Sequence, residues 1–355
     1  MLVGIVGTGL ISNMHAKAIK ATGCDIIFSV NDNIDEAKIF NAKYNIPYSF
    51  RDIDNAISKF EVSVLHICTP PYIHYEYAKK ALENNIHVIV EKPLCLDTNE
   101  AKELMELAQK KNLICAVNYN VRFYDQILEM RKLINYKNFG EPVLLRCHYL
   151  QEFHVLPAYF SWRYNEKKGG KMRAVTEIGS HILDLIRFVT NVEISQVSAN
   201  FGKLNQRRYL EGNLMHENKV DNSTEIAINS EDVCFINFKL ANGAIGNIFL
   251  SEISIGHTNE IEIEVTSRKN SVLWNTDKPY ALSYCSKDNG NRVLNSDFGV
   301  GFEETFNRFV ADIYNKIEFR HNEYDFATFT DGYINVKICE RLYESNNANG
   351  KWLEV

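Results

Sequence analysis

Over the first third of the chain, short apolar runs alternate with stretches of helical spacing, the pattern of βαβ units under a parallel sheet. The runs cover residues 2–6, 26–30, 62–67, 87–90 and 113–117, and the helical stretches 14–21, 35–44, 75–84 and 98–111. Parallel strands are covered on both faces, so they read as unbroken apolar segments. After Arg122 the texture changes. A helix is expected over 125–133 and then a strand over 143–149, in which apolar and polar positions alternate as in a half-exposed antiparallel strand. The same alternation returns at 192–200, 232–240, 244–251, 260–266 and 271–274, with Asn-Gly and Lys-Asn turns between. Residues 205–232 are polar and read largely as loop, while 301–316 and 332–345 read as closing helices. The pattern predicts an α/β domain over residues 1–121. An α+β domain built on an antiparallel sheet should follow over 122–355, its final helices free to pack back on the first.

Composition narrows the function. A chain of 355 residues exceeds one ordinary core of about 100–150 residues, which supports two domains. No apolar run is long enough to cross a bilayer. The net charge of −6, with Lys and Arg interleaved among acids, argues against a nucleic-acid surface. A small molecule is the expected partner, with neither nucleic acid nor membrane. The eight cysteines are scattered without C-x-x-C spacing, so no metal or disulfide framework is expected and the thiols fit a reducing, cytoplasmic setting. Met1-Leu2-Val3-Gly4 runs directly into the first strand, and no targeting segment is expected.

The first strand ends in Gly7-Thr8-Gly9-Leu10-Ile11-Ser12 and a helix follows. That context makes a dinucleotide-binding turn of the Rossmann type. Glycines at the first two positions allow the tight turn and let backbone N–H groups approach a pyrophosphate, and Ser12 is small enough for close helix packing. Asn31 and Asp32 end the second strand, where an acid accepts from the adenosine ribose. No Lys or Arg stands beside them, so NAD is favoured, with NADP as the alternative. Asp32 has a second reading as the cap of the next helix. Cys68-Thr69-Pro70 with His74, and Glu91-Lys92-Pro93, close two further strands at the same sheet edge, the edge where doubly wound folds bind ligands.

Taken together, Gly7-Thr8-Gly9 with His15, Cys68-Thr69-Pro70 with His74, Glu91-Lys92-Pro93 and Val117-Asn118-Tyr119-Asn120 resemble the Gfo/Idh/MocA oxidoreductase family. Further on, Ser161-Trp162-Arg163, Gly169-Gly170-Lys171-Met172-Arg173 and Glu177-Ile178-Gly179-Ser180-His181 look like the family segment that carries catalytic groups. The resemblance implies a Rossmann domain followed by a large, open, mainly antiparallel sheet. It implies hydride exchange with a carbinol of a sugar or cyclitol, and a homodimer or homotetramer built on the sheet's outer face. Glu177 stands where the family usually has Asp, which puts the geometry at that position in question.

Chemistry assigns the roles. A carbinol donating hydride needs a base for its hydroxyl proton. His181 is that general acid/base, since imidazole titrates near neutrality. On a helix, Glu177 and His181 fall at i and i+4 on one face, so the carboxylate can orient the ring or hold a neighbouring hydroxyl. Lys92 is the cation that stabilises charge developing on the reacting oxygen. Glu91 either fixes the lysine or is structural. Asn120 is a contact for nicotinamide or substrate, and Arg163 and Arg173 are candidates for substrate hydroxyls or a phosphate, each with an ion-pair alternative. Thr8, Leu10, Ile11, Thr69 and Pro70 complete the expected cofactor contacts. No third ligand accompanies Glu177 and His181, so no metal is expected. An NADP-dependent keto-sugar reductase and a non-catalytic dinucleotide-binding regulator are the competing readings.

Overall fold

A computed structural model of the chain describes residues 1–296, 301–320 and 322–355. Its first unit takes Met1–Phe123 together with Gly301–Val336, and its second Tyr124–Val300 with Lys337–Val355. The boundary expected at 121/122 therefore moves by two residues, and the second domain is not continuous to the end of the chain.

In the first unit, β1 (Leu2–Val6), β2 (Asp25–Val30), β3 (Tyr48–Phe50), β4 (Val64–Ile67), β5 (His87–Val90) and β6 (Cys115–Val117) form a parallel sheet. Its spatial order is β6-β5-β4-β1-β2-β3. Helices α1 (Leu10–Ala21), α2 (Ile34–Tyr44), α3 (Ile53–Lys59), α4 (His74–Glu83) and α5 (Thr98–Lys110) connect the strands. Leu65, Ile67, Val88 and Val90 pack on one side with Ala78, Leu82 and Leu104. Val3, Ile5, Val64 and Ile89 pack on the other with Ile19, Phe306, Phe309 and Ile313. The last three belong to the helix Phe302–Phe319, and the strand Ala327–Thr328 pairs antiparallel with β6. These contacts draw residues 301–336 into the first unit. Both β3 and α3 escape the sequence pattern because three and seven residues are too few to establish a period. The cap of α5 is Asp97, whose carboxylate accepts from the amides of Asn99 and Glu100.

The second unit is built on β7 (Pro142–Leu150), β8 (Ala158–Tyr159), β9 (Ile194–Gly202), β10 (Arg207–Glu211), β11 (Leu214–His216), β12 (Thr224–Ala227), β13 (Val233–Leu240), β14 (Ile245–Ser251), β15 (Glu260–Ser267), β16 (Asn270–Asn275), β17 (Ala281–Ser286) and β18 (Gly290–Asn295). A nine-stranded sheet runs β18-β17-β16-β15-β7-β14-β13-β9 and ends on Leu353–Glu354. All its pairs are antiparallel except β7 with β14. The inner face carries Leu145, Cys147, Ile236, Phe238, Ile248, Leu250, Ile263 and Trp274, all buried. The fully buried helix Ser180–Thr190 packs there on β7 and against the helix Asp125–Asn135. Residues 205–232 are mostly loop and turn, as expected, but they also carry the short strands β10, β11 and β12, which join β8 in a four-stranded sheet. Their burial patterns, such as eeie in β12, lack the alternation that marks a half-buried strand. No described helix is long and apolar enough to cross a membrane.

Candidate active site

The glycine turn between β1 and α1 has the geometry its sequence requires. Gly7 sits at φ +86°, and a Cβ there would lie 2.7 Å from the Cys68 carbonyl oxygen, so only glycine passes beneath the end of β4. A Cβ on Gly9 would meet nothing within 4 Å, which leaves open space over the start of α1. No side chain caps that helix, so its first N–H groups stay available to an anion. The Thr69 hydroxyl beside this turn is buried without a partner. An open glycine, an uncapped helix start and an orphaned hydroxyl together fit a dinucleotide. Leu10 is 90% exposed and Ile11 half-buried, while Ser12 is fully buried in the packing of α1.

At the end of β2, the Asn31 amide donates to the Thr8 hydroxyl, tying the second strand to the glycine turn. The helix cap is Asn33, which accepts from the amides of Asp35 and Glu36. Asp32 therefore does not cap α2, and its exposed carboxylate takes the Asn33 amide at 2.8 Å.

Three expected cofactor contacts turn inward instead. His74 is fully buried, with its two ring nitrogens 2.9 Å from the Pro93 carbonyl and 2.8 Å from that of Thr69. It thus clamps the ends of β4 and β5 together, and burial holds its pKa below the ordinary value. Glu91 accepts from His15 at 2.8 Å and from the Asn118 amide at 2.6 Å. Burial opposes its charge, yet His15 and Asn118 hold its pKa below the usual carboxylate range. Asn120 is buried and spends its amide on Thr305 at 2.7 Å. Lys92 follows Glu91 as a half-buried residue.

In the second unit, residues Val175–Gly179 form a π-helical turn that leads directly into the helix Ser180–Thr190. Turns of this kind gather at functional sites. A Cβ on Gly179 would lie 2.6 Å from Leu250 Cδ1, so the glycine lets the turn sit tightly on β14. Glu177 projects from the turn and pairs with Arg163 Nε at 2.8 Å, and the Arg163 guanidinium stacks 4.5 Å from the Trp162 ring. His181 is 9% exposed, with the Tyr149 ring 6.3 Å away. The Tyr149 hydroxyl donates to Asn259, which Gln151 also reaches at 2.6 Å.

Arg173 does not reach outward to a substrate. It is 1% exposed, with Nη2 2.6 Å from Asp232 and Nε 2.5 Å from Glu252, and its guanidinium stacks on Tyr164. Arg208 Nη2 shares the same Asp232 oxygen at 2.8 Å. Glu231 accepts from the amides of Arg173 and Val175 and so anchors the entry to the π turn. Burial raises the Glu231 pKa to about 7 against these hydrogen bonds. His154 lies among these groups, bonded to the Tyr164 hydroxyl. Burial, with Arg173 and Arg163 close by, pushes its pKa down to about 3. The spacing of the sequence flagged neither His154 nor the acids at 231, 232 and 252, because their partners lie in distant strands. On the sheet's outer face, His148, Glu260 and Glu262 gather within 4.8 Å. Asn275 and His257 already bond the two acids, which makes the trio a satisfied polar row.

Residues 1–119 match the Gfo/Idh/MocA model described as "Oxidoreductase family, NAD-binding Rossmann fold", and residues 131–355 match its "C-terminal alpha/beta domain". Glucose-6-phosphate 3-dehydrogenase of Bacillus subtilis (strain 168) is 22% identical over 358 residues, 97% of this chain and 96% of that protein. Levoglucosan dehydrogenase of Pseudarthrobacter phenanthrenivorans is 24% identical, over 99% of this chain and 97% of its own. The solved structure of levoglucosan dehydrogenase in complex with NADH matches with a TM-score of 0.89 at 22% identity, covering 100% of this chain and 99% of that one. Likeness at that identity speaks for the fold.

Proposed function

We propose, from the premise that this chain belongs to the Gfo/Idh/MocA oxidoreductase family, that it exchanges a hydride between NAD and a secondary carbinol of a sugar, sugar derivative or cyclitol. The observation that carries the reading is the open glycine turn: Gly7 at φ +86° beneath Cys68, with free space over Gly9. Gly7, Thr8, Gly9, Thr69 and the start of α1 would hold the pyrophosphate, and Asp32 the adenosine ribose. The stretch from Asn31 to Glu36 carries acids and no base, which supports NAD over NADP.

NAD supplies the hydride acceptor. His181 removes the hydroxyl proton as the carbinol is oxidised and returns it in reduction. Glu177, kept in place by Arg163, orients the ring or a neighbouring substrate hydroxyl. Its extra methylene, compared with the family's Asp, spans the distance to that arginine. Lys92 donates to the reacting oxygen and stabilises its developing charge, an effect worth roughly 2.7–4 kcal/mol for one well-placed donor.

Purified protein mixed with NAD and a panel of sugars, sugar phosphates and cyclitols tests the reading through absorbance of the reduced nicotinamide. At least one member should generate NADH. Tight NAD binding with no NADH from any of them would count against the enzyme and favour the non-catalytic regulator.

A further inference from the structure

We propose that Gln151 and Asn259 form an uncharged subsite that takes a second hydroxyl of the substrate, distinct from the carbinol being oxidised, and so help to select sugars and cyclitols. The inference rests on the reading of His181 as the base. Where β7 ends and β15 begins, Tyr149 stands opposite Ile261. Ile261 is 1% exposed, so Tyr149 shares with it the inner face of the sheet, on which the helix Ser180–Thr190 packs. The Tyr149 and His181 rings are 6.3 Å apart. From Tyr149 the hydroxyl donates to Asn259 Oδ1 at 2.8 Å, and Gln151 Nε2 donates to the same oxygen at 2.6 Å. Direct contacts within the second unit therefore lead from the two amides to the proposed base.

These bonds fix what the amides offer. Two donors occupy the lone pairs of Asn259 Oδ1, so its Nδ2 turns away from Tyr149 and Gln151. Neither that nitrogen nor Gln151 Oε1 has a protein partner among the described residues, and neither atom is sealed from solvent. A donor and an acceptor thus stand side by side, the complement of a hydroxyl, which both donates and accepts. Turning both amides over exchanges their roles and leaves the same complement. The main chain holds the pair in place. Gln151 N–H donates to the Ser251 carbonyl at 2.7 Å, the Gln151 carbonyl takes the Ser254 N–H at 2.8 Å, and the Thr276 hydroxyl donates to the Asn259 carbonyl at 3.0 Å. Groups fixed in this way lose little freedom when a ligand arrives.

The subsite carries no charge. Burial pushes the Tyr149 phenol up, against the hydrogen bonds to Asn259 and Gln151 that lower it, so the ring keeps its proton and leaves base chemistry to His181. A phosphate or carboxylate would meet two neutral amides there and no counter-ion. A hydroxyl exchanges its bonds to water for equivalent bonds to protein. One aromatic ring separates the amides from His181, which lies within the span of a six-membered sugar or cyclitol ring with its hydroxyls.

The experiment takes the sugar or cyclitol that the wild type oxidises fastest together with its monodeoxy analogues. One analogue that keeps the reacting hydroxyl should lose at least about 30-fold in kcat/KM, because it leaves a donor and an acceptor without partners. In Asn259→Ala and in Gln151→Leu the same analogue and its parent should differ by no more than about fivefold, with Kd for NAD within about twofold of wild type. Calorimetry on each protein saturated with NADH reads the same discrimination without turnover. Oxidation of every such analogue within about threefold of the parent would overturn the proposal and leave the function standing. Undiminished discrimination in the variants would overturn it too, as would failure of both to fold, which would make the pair a structural brace. Discriminating binding with no NADH formed would instead defeat the reading of function and keep the subsite.

Discussion

Asp32 presents its carboxylate at the exposed end of β2, one oxygen bonded to the Asn33 amide. If it holds the ribose, Asp32→Ala should weaken NAD by about tenfold, the worth of a hydrogen bond to a charged group, and weaken NADP less. Fluorescence titration with each nucleotide measures this, and equal losses would place the ribose elsewhere. His15 carries a pH prediction. Its folded pKa of about 10 lies above the ordinary value near 6.5. The stabilisation it gives is therefore complete below about pH 6.5 and lost as pH rises toward 10. Wild-type Tm should fall more steeply between pH 7 and 10 than that of His15→Gln. Parallel slopes in calorimetry would mean that His15 carries no charge in the fold.

The element that decides the position of the proposed base is the π turn Val175–Gly179. Gly179→Ala would press a methyl against Leu250 Cδ1 at 2.6 Å, displace the start of the helix bearing His181, and cost about 1–3 kcal/mol by overpacking. Leu250→Ala in the same chain should recover part of that loss and part of kcat. A double-mutant cycle in urea with no coupling would show that Gly179 is not packed as described. Much of this unit was legible in the chain: the alternating runs locate six of the nine strands of the large sheet, missing Ala281–Ser286, Gly290–Asn295 and Leu353–Glu354, and Glu177 with His181 stand out at helical spacing. The π turn was not legible, because the choice between i→i+4 and i→i+5 bonding depends on how Gly179 meets β14. The sequence left Arg173 open between substrate contact and ion pair for a similar reason, and the structure shows the ion pair, buried. Its partners Asp232 and Glu252 lie 59 and 79 residues further on, and only the folded sheet brings them under the guanidinium. In the first unit, Gly7 and the apolar strands were readable at once. The inward turn of His74, Glu91 and Asn120 was not, since a motif gives position along a strand and leaves the side chain's partner open.

At the scale of the whole molecule, the outer face of the large sheet carries Leu144, Phe235 and Ile245, each about half exposed at 47%, 58% and 53%. The Phe235 and Phe249 rings stack there at 4.8 Å. If this exposed apolar face is the association surface that the resemblance implies, light scattering should give a mass of at least twice 40.8 kDa. A monomer at micromolar concentration would contradict this. The nucleotide turn lies in one unit and the proposed base in the other, and a single substitution tests the base by itself. His181→Ala should bind NAD as the wild type does and lose about two to four orders of magnitude in kcat for sugar oxidation, measured by NADH absorbance beside NAD titration of the same sample. Turnover within about threefold of wild type would remove His181 from the reaction and contradict the account at its centre.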